Sequence, residues 1–173
     1  MSTPGQAVRP PQAFDSRQFR DALGEFATGV TIICARTGGG RYAGFTANSF
    51  NSVSLDPPLI LWSLSRQSAS LAAFETAERY SVNVLSAGQS ELARRFSRPH
   101  VDRFAGVGYR MGWAEAPLID GCAAWFECAH HARHRTGDHV IFVGKVATCE
   151  RASGDGLVFH HGHFGAVTPV RDA

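Results

Sequence analysis

The stretch GFTANSFNSVSLDPPLILWSLS, Gly44 to Ser65, sets Thr46, Asn48, Ser49, Asn51, Ser52 and Ser54 just before an unbroken apolar run. Short hydroxyl and amide side chains on a stiff element hold donors and acceptors in fixed positions, as a flat polar ligand requires. The same residues also suit a polar edge strand running into a loop, so the stretch alone leaves both readings open. Next, SLSRQSAS (Ser63 to Ser70) puts serines where a strand ends and a helix begins. Helix starts expose free N–H groups and partial positive charge, which suit phosphate, although Ser68 or Ser70 could serve only as a cap. In LARRFS, one guanidinium of Arg94 and Arg95 could reach that phosphate, or both could line a solvated helix face.

Of the eight histidines, His130, His131, His134 and His139 follow Cys128, and His160, His161 and His163 lie near the end. A strand over 129–135 would set His130 and His134 on one face. No HExxH or CxxC pattern is present, and no metal site is expected. A GxSxG elbow, a phosphate loop, GxGxxG and a pair of catalytic carboxylates are also missing. Cys34, Cys122, Cys128 and Cys149 read as buried small apolar residues rather than a disulfide frame.

The elements that must position these groups are mostly strands. In FDSRQFRDALGEFATG, Phe19, Ala22, Leu23, Phe26 and Ala27 recur at helical spacing, with Asp15 or Ser16 as cap, Phe14 as staple and Gly29 as terminator. A second helix is expected to begin at the serines of QSASLAAFETAERY, and a third, short one over QSELARRFS with Gln89 or Ser90 near its start. VTIICAR, RYAGFTANS, LILWSLS, YSVNVLS, the pair CAAWFECAHHARHR and HVIFVGKVATCER, and a final GLVFHHGHFGAV read as strands. Gly38-Gly39-Gly40 and Thr136-Gly137-Asp138 mark hairpins. About seven strands, with helices only as insertions, argue for a closed antiparallel barrel rather than a parallel sheet.

With 173 residues, 44% apolar and 18% charged, the chain fits one soluble globular domain. A net charge of +2 without a basic run gives no footprint for nucleic acid. No membrane span or targeting segment is expected, so the default location is cytoplasmic. Residues 1–13 read as a disordered N-terminal arm.

In order and spacing, FATGVTIICA, GFTANSFNSVSLDPPLILWSLSRQSAS, YSVNVLS, LARRF, GDHVIFVGKV and LVFHHGHFG resemble the short-chain flavin reductase family. Its members are the reductase components of two-component flavin-dependent monooxygenases, and the likeness runs from about Phe19 to Val167. It implies a mainly β domain over 14–170, a Greek-key antiparallel split β-barrel of the FMN-binding type, generally a homodimer. It also implies that Thr46, Ala47, Asn48 and Ser49 meet the flavin ring and ribityl chain. Ser63, Ser65 and Ser68 would surround the phosphate, Arg94 would assist them, and Phe164 would stand at the far end of the pocket. His139, in GDH, resembles the family's catalytic-site histidine beside the nicotinamide. Phe159-His160-His161 fits the family's last motif approximately, and neither histidine receives a role. The implied activity is hydride transfer from NADH or NADPH to FMN or FAD, with reduced flavin passed to a partner monooxygenase. A flavin carrier or sensor without turnover is the alternative reading, and a metal-dependent protein using His130 and His134 is a third.

Overall fold

The computed structural model describes residues 13–99 and 101–168. The expected arm therefore lies outside the described residues except for Ala13, as do the last positions of the expected domain. A helix, α1 (Ser16–Gly24), precedes a two-residue strand, β1 (Thr28–Gly29). The main sheet then begins with β2 (Thr31–Arg36), β3 (Tyr42–Ala47), β4 (Asn51–Leu55) and β5 (Pro58–Ser65). After α2 (Leu71–Thr76) come β6 (Arg79–Val84), α3 (Ser90–Ser97) and a small pair, β7 (Tyr109–Met111) and β8 (Pro117–Ile119). The long hairpin β9 (Ala124–Thr136) and β10 (His139–Arg151) is followed by a short one, β11 (Leu157–His160) and β12 (His163–Ala166).

Seven strands pair antiparallel in the order β3-β2-β6-β9-β10-β5-β4. The chain returns at β6 to lie beside β2, a Greek-key path. β3 and β4 follow one another in sequence yet form opposite edges of this sheet. Only residues 48–50 join them, and four peptide steps reach at most about 14 Å. The sheet must therefore roll until its edges nearly meet. No ladder joins the edges among the described residues. Instead Ser49 Oγ ties the seam to β5, accepting from the Ser63 N–H at 2.9 Å and donating to the Ser63 carbonyl at 3.1 Å. The barrel is split, not closed as strand count alone suggests.

Inside the roll, Trp62 stacks on Phe142 at 4.2 Å, with Phe45, Phe74 and Tyr80 around them. Phe74 comes from α2 and is buried in that core. Outside β2 a second core joins Val30, Ile32, Leu85, Ala93, Phe96 and Leu157. Because β2 has a core on each face, its β-branched run is buried almost throughout. Gly44 lets α3 approach β3: a Cβ there would come within 2.8 Å of the Phe96 and Phe104 rings.

Four expectations change. Asn51–Leu55 is an edge strand, where its polar residues can face water, rather than a loop. The final segment is two strands, because His161 and Gly162 both take positive φ (48° and 77°) and turn a tight hairpin. The first helix stops at Gly24, since Thr28 and Gly29 pair with Phe159 and Val158. Its apolar face is not covered: Phe19, Leu23 and Phe26 stay exposed. All four cysteines are free; Cys34, Cys122 and Cys128 are buried and Cys149 is exposed. No helix among the described residues is long and apolar enough to cross a membrane.

Candidate functional site

Two adjoining hollows open where the barrel is split. The smaller, about 150 Å³, lies between Thr46, Asn48, Phe159 and Phe164, with Val30 behind. The larger, about 790 Å³, runs on from Asn48 and Phe159 past Ser49 and Ser63 to Thr28 and Phe26. Strand alternation explains the polar floor. On β5, Ile60, Trp62 and Leu64 point into the barrel, so Leu61, Ser63 and Ser65 must point out. The bend at Asn48 leaves its amide exposed at the point the two hollows share.

The structure brings most of the expected residues to this seam. Thr46 lines the smaller hollow, and its hydroxyl donates to the Ala93 carbonyl at 2.7 Å, fixing β3 to α3. The next residue of α3, Arg94, sets its guanidinium 4.8 Å from the centre of the Phe164 ring and 3.6 Å from Glu91. Phe164 packs against Phe159 at 5.3 Å. Ala47 differs: its side chain is buried in the barrel core, and its carbonyl accepts from Thr31 Oγ1 at 2.8 Å. Ser49 and Ser63 line the larger hollow, but the Ser49 hydroxyl is already engaged with the Ser63 main chain.

Ser65, Ser68 and His139 line neither hollow and cluster at the end of β5. His139 pairs with Ser65 across β10 and β5. The Arg66 N–H donates to the Asp138 carbonyl at 2.9 Å, clamping the serine turn to the GDH turn. Ser65 Oγ accepts from the Gln67 N–H and Ser68 Oγ from the Ser70 N–H, each at 3.2 Å. Both hydroxyls thereby keep their protons for another acceptor. His139 Nδ1 lies 2.8 Å from Asp138 Oδ1, and this bond to the imidazole holds the Asp138 carboxyl below its usual range.

Sequence reasoning missed Thr28, Phe26 and His161, which line the larger hollow. Thr28 lies within the quoted FATGVTIICA, but nothing local marks its hydroxyl. In the fold that oxygen is buried with no hydrogen-bond partner among the described residues. An orphaned buried hydroxyl is costly unless a ligand completes it. Apolar walls from Phe26 and Phe159, with an amide and a hydroxyl set into them, fit a flat aromatic ring with a polar edge. His130 and His134 do not converge: the strand bulges at His131, between the pairs Val143–Ala132 and Gly144–His130, which breaks the alternation.

Residues 23–168 match the family model described as flavin reductase like domain. The chain belongs to that family. Among its relatives in the flavin reductase family is a probable flavin reductase of Rhizobium meliloti, 45% identical over 158 residues. That match covers 91% of this chain but only 50% of the relative, so this chain spans about half its length. The FMN reductase (NADH) SmoA of Agrobacterium fabrum is 44% identical, with 94% of this chain and 92% of that protein covered. Among solved structures, the Streptomyces globisporus NADH:FAD oxidoreductase SgcE6, in complex with NAD and FAD fragments, superposes with a TM-score of 0.86. It is 38% identical, over 94% of this chain and 100% of that chain.

Proposed function

We propose that this protein is an NAD(P)H:flavin oxidoreductase that moves a hydride from NADH or NADPH to FMN or FAD and supplies the reduced flavin to a partner monooxygenase. The observation that carries the reading is the groove at the seam, walled by Phe26, Phe159 and Phe164 and set with the polar groups of Thr28, Thr46, Asn48, Ser49 and Ser63. A flavin bound there supplies the hydride acceptor for the C4 hydride of a dihydronicotinamide. The chain's own task is orientation. Phe26 and Phe159 exclude water from the ring plane, while Thr28 Oγ1 and the Asn48 amide offer hydrogen bonds at its edge. The free protons of Ser65 and Ser68 suit the phosphate, and Arg94 adds positive charge beside Phe164. His139, fixed by Asp138 opposite Ser65, positions the nicotinamide.

The relatives support the same reading. One is named FMN reductase (NADH) and another NADH-dependent FAD reductase; a third is the reductase component of a trigonelline monooxygenase. We take the active form to be a cytoplasmic homodimer. Four unpaired cysteines suit a reducing compartment. Leu59, Leu61, Ile141 and Val143 share the outer face of β5 and β10, beside exposed Val53 and Leu55 on β4, an apolar surface that a second copy would cover.

NADH oxidation measured with and without added FMN or FAD tests the proposal: turnover should require free or bound flavin. Flavin binding without NADH oxidation would leave a carrier or sensor instead. His139→Ala should raise the apparent KM for NADH more than that for flavin; the reverse order would remove His139 from the nicotinamide side.

A further inference from the structure

At the tip of the β11–β12 hairpin, His160 and His161 are consecutive, and along an extended strand their side chains would leave on opposite faces. They do not, because His161 takes the left-handed conformation that the two-residue turn requires. Their rings stand edge to face at 4.3 Å. The same turn presses against the end of α1. The His161 N–H donates to the Gly24 carbonyl at 3.2 Å, and His161 Nε2 lies 3.1 Å from Glu25 Oε2. Two imidazole nitrogens and one carboxylate oxygen thus sit within 4.8 Å of one another, all on exposed side chains.

We infer that Glu25, His160 and His161 form a divalent transition-metal site, of the class that takes zinc. Two imidazoles and a carboxylate are a donor set for a borderline ion, and three protein ligands leave positions for water. Around a tetrahedral ion with bonds of about 2.0–2.1 Å, donor atoms lie about 3.4 Å apart. The Glu25–His161 separation already meets that spacing, and a rotation of the exposed His160 ring brings in the third donor. The three residues come from chain segments 135 and more positions apart, so an ion here fastens α1 to the hairpin. That fastening matters because α1 buries none of its own residues. The site stands on the rim of the larger hollow, and its existence does not depend on what that hollow binds.

The test uses the full chain without an affinity tag, stripped with a chelator. Zn²⁺ is titrated against a chromophoric chelator, and Co²⁺ provides a visible spectrum of its ligands. One ion per chain is expected. His160→Ala, His161→Ala and Glu25→Gln should each weaken it by at least the roughly 10–100-fold that loss of even an outer partner costs. Replacing His130 and His134 together should leave it in place. Hydrogen exchange of the α1 amides should slow on adding Zn²⁺ to the native chain and not to His161→Ala. Zinc binding that survives all three rim substitutions, that vanishes with His130 and His134, or that never occurs would overturn the site. Zinc binding that leaves α1 exchange unchanged would overturn the fastening.

Discussion

In the barrel interior, Trp62 and Phe142 are 0% and 1% exposed and lie in parallel stack, whereas on the rim Phe19 and Phe26 leave 50% and 75% of their surface in solvent. Strands β3 and β5 around that interior and α1 on the rim line the same groove. The interior fixes β3, β5 and β10, and with them Asn48, Ser63, Ser65 and His139. On the rim, Phe26 is held by the short loop into β1 and, through the end of α1, by polar contacts such as the Gly24–His161 hydrogen bond. The groove therefore has one wall as stiff as the core and one wall that can shift at little cost. Such asymmetry suits the proposed role, in which a ring is both oriented and released.

The largest effect that separates the two walls is a truncation in each. Phe142→Ala removes a ring stacked on Trp62 and should lower unfolding free energy by about 3–5 kcal/mol, read from urea denaturation. Phe19→Ala, on the exposed face of α1, should change it by no more than about 0.5 kcal/mol. Comparable losses would make α1 part of the cooperative core and end the distinction.

The same contrast governs what could be read from sequence. β2, β5, β6, β9 and β10 were legible because their side chains alternate, or are apolar throughout, between clear turn residues. Asn51, Ser52 and Ser54 disguised β4, since an edge strand in water has the composition of a loop. The second hairpin was hidden because His-Gly occupies the turn where Asn-Gly would have announced it. Whether β3 pairs with β4 is a question of how the whole sheet rolls, and no local pattern carries it. Within the site, Thr46, Asn48 and Phe164 followed from the resemblance and do line one hollow. Thr28 and His161 acquire their meaning only from partners, or a missing partner, far along the chain.

A smaller effect sharpens the picture of the buried side. Burial pushes the Cys122 and Cys128 thiols up to about 12 from an ordinary value of 9.0, and raises Cys34 further; Cys149 is exposed. Below the ordinary value both folded and unfolded thiols keep their protons, and the stabilising contribution is complete. Between the two values the unfolded chain loses protons that the folded chain retains. Stability then falls as pH rises, by about 1.4 kcal/mol per pH unit for each such thiol. Urea midpoints at about pH 8 and pH 10 should differ in that sense, and Cys122→Ala should flatten the slope. A thiol reagent should modify Cys149 quickly and the other three only on unfolding. Rapid labelling of all four would contradict the dry core.

The smallest global effect is expected where local structure is best formed. Asp15 Oδ1 accepts from the Arg17 and Gln18 N–H groups at 2.8 Å, Gln18 Oε1 accepts from the Asp15 N–H at 3.0 Å, and Phe14 staples Phe19 at 5.5 Å. Asp15→Ala removes this capping box and should cost the helix about 0.5–2 kcal/mol. Because α1 buries nothing in either core, that loss should appear as faster amide exchange across 16–24 while the urea midpoint stays nearly fixed. A midpoint that falls by the full capping energy would mean that α1 unfolds together with the barrel. The groove would then have two stiff walls, and ligand release would have to be sought in the β5 and β10 turns instead.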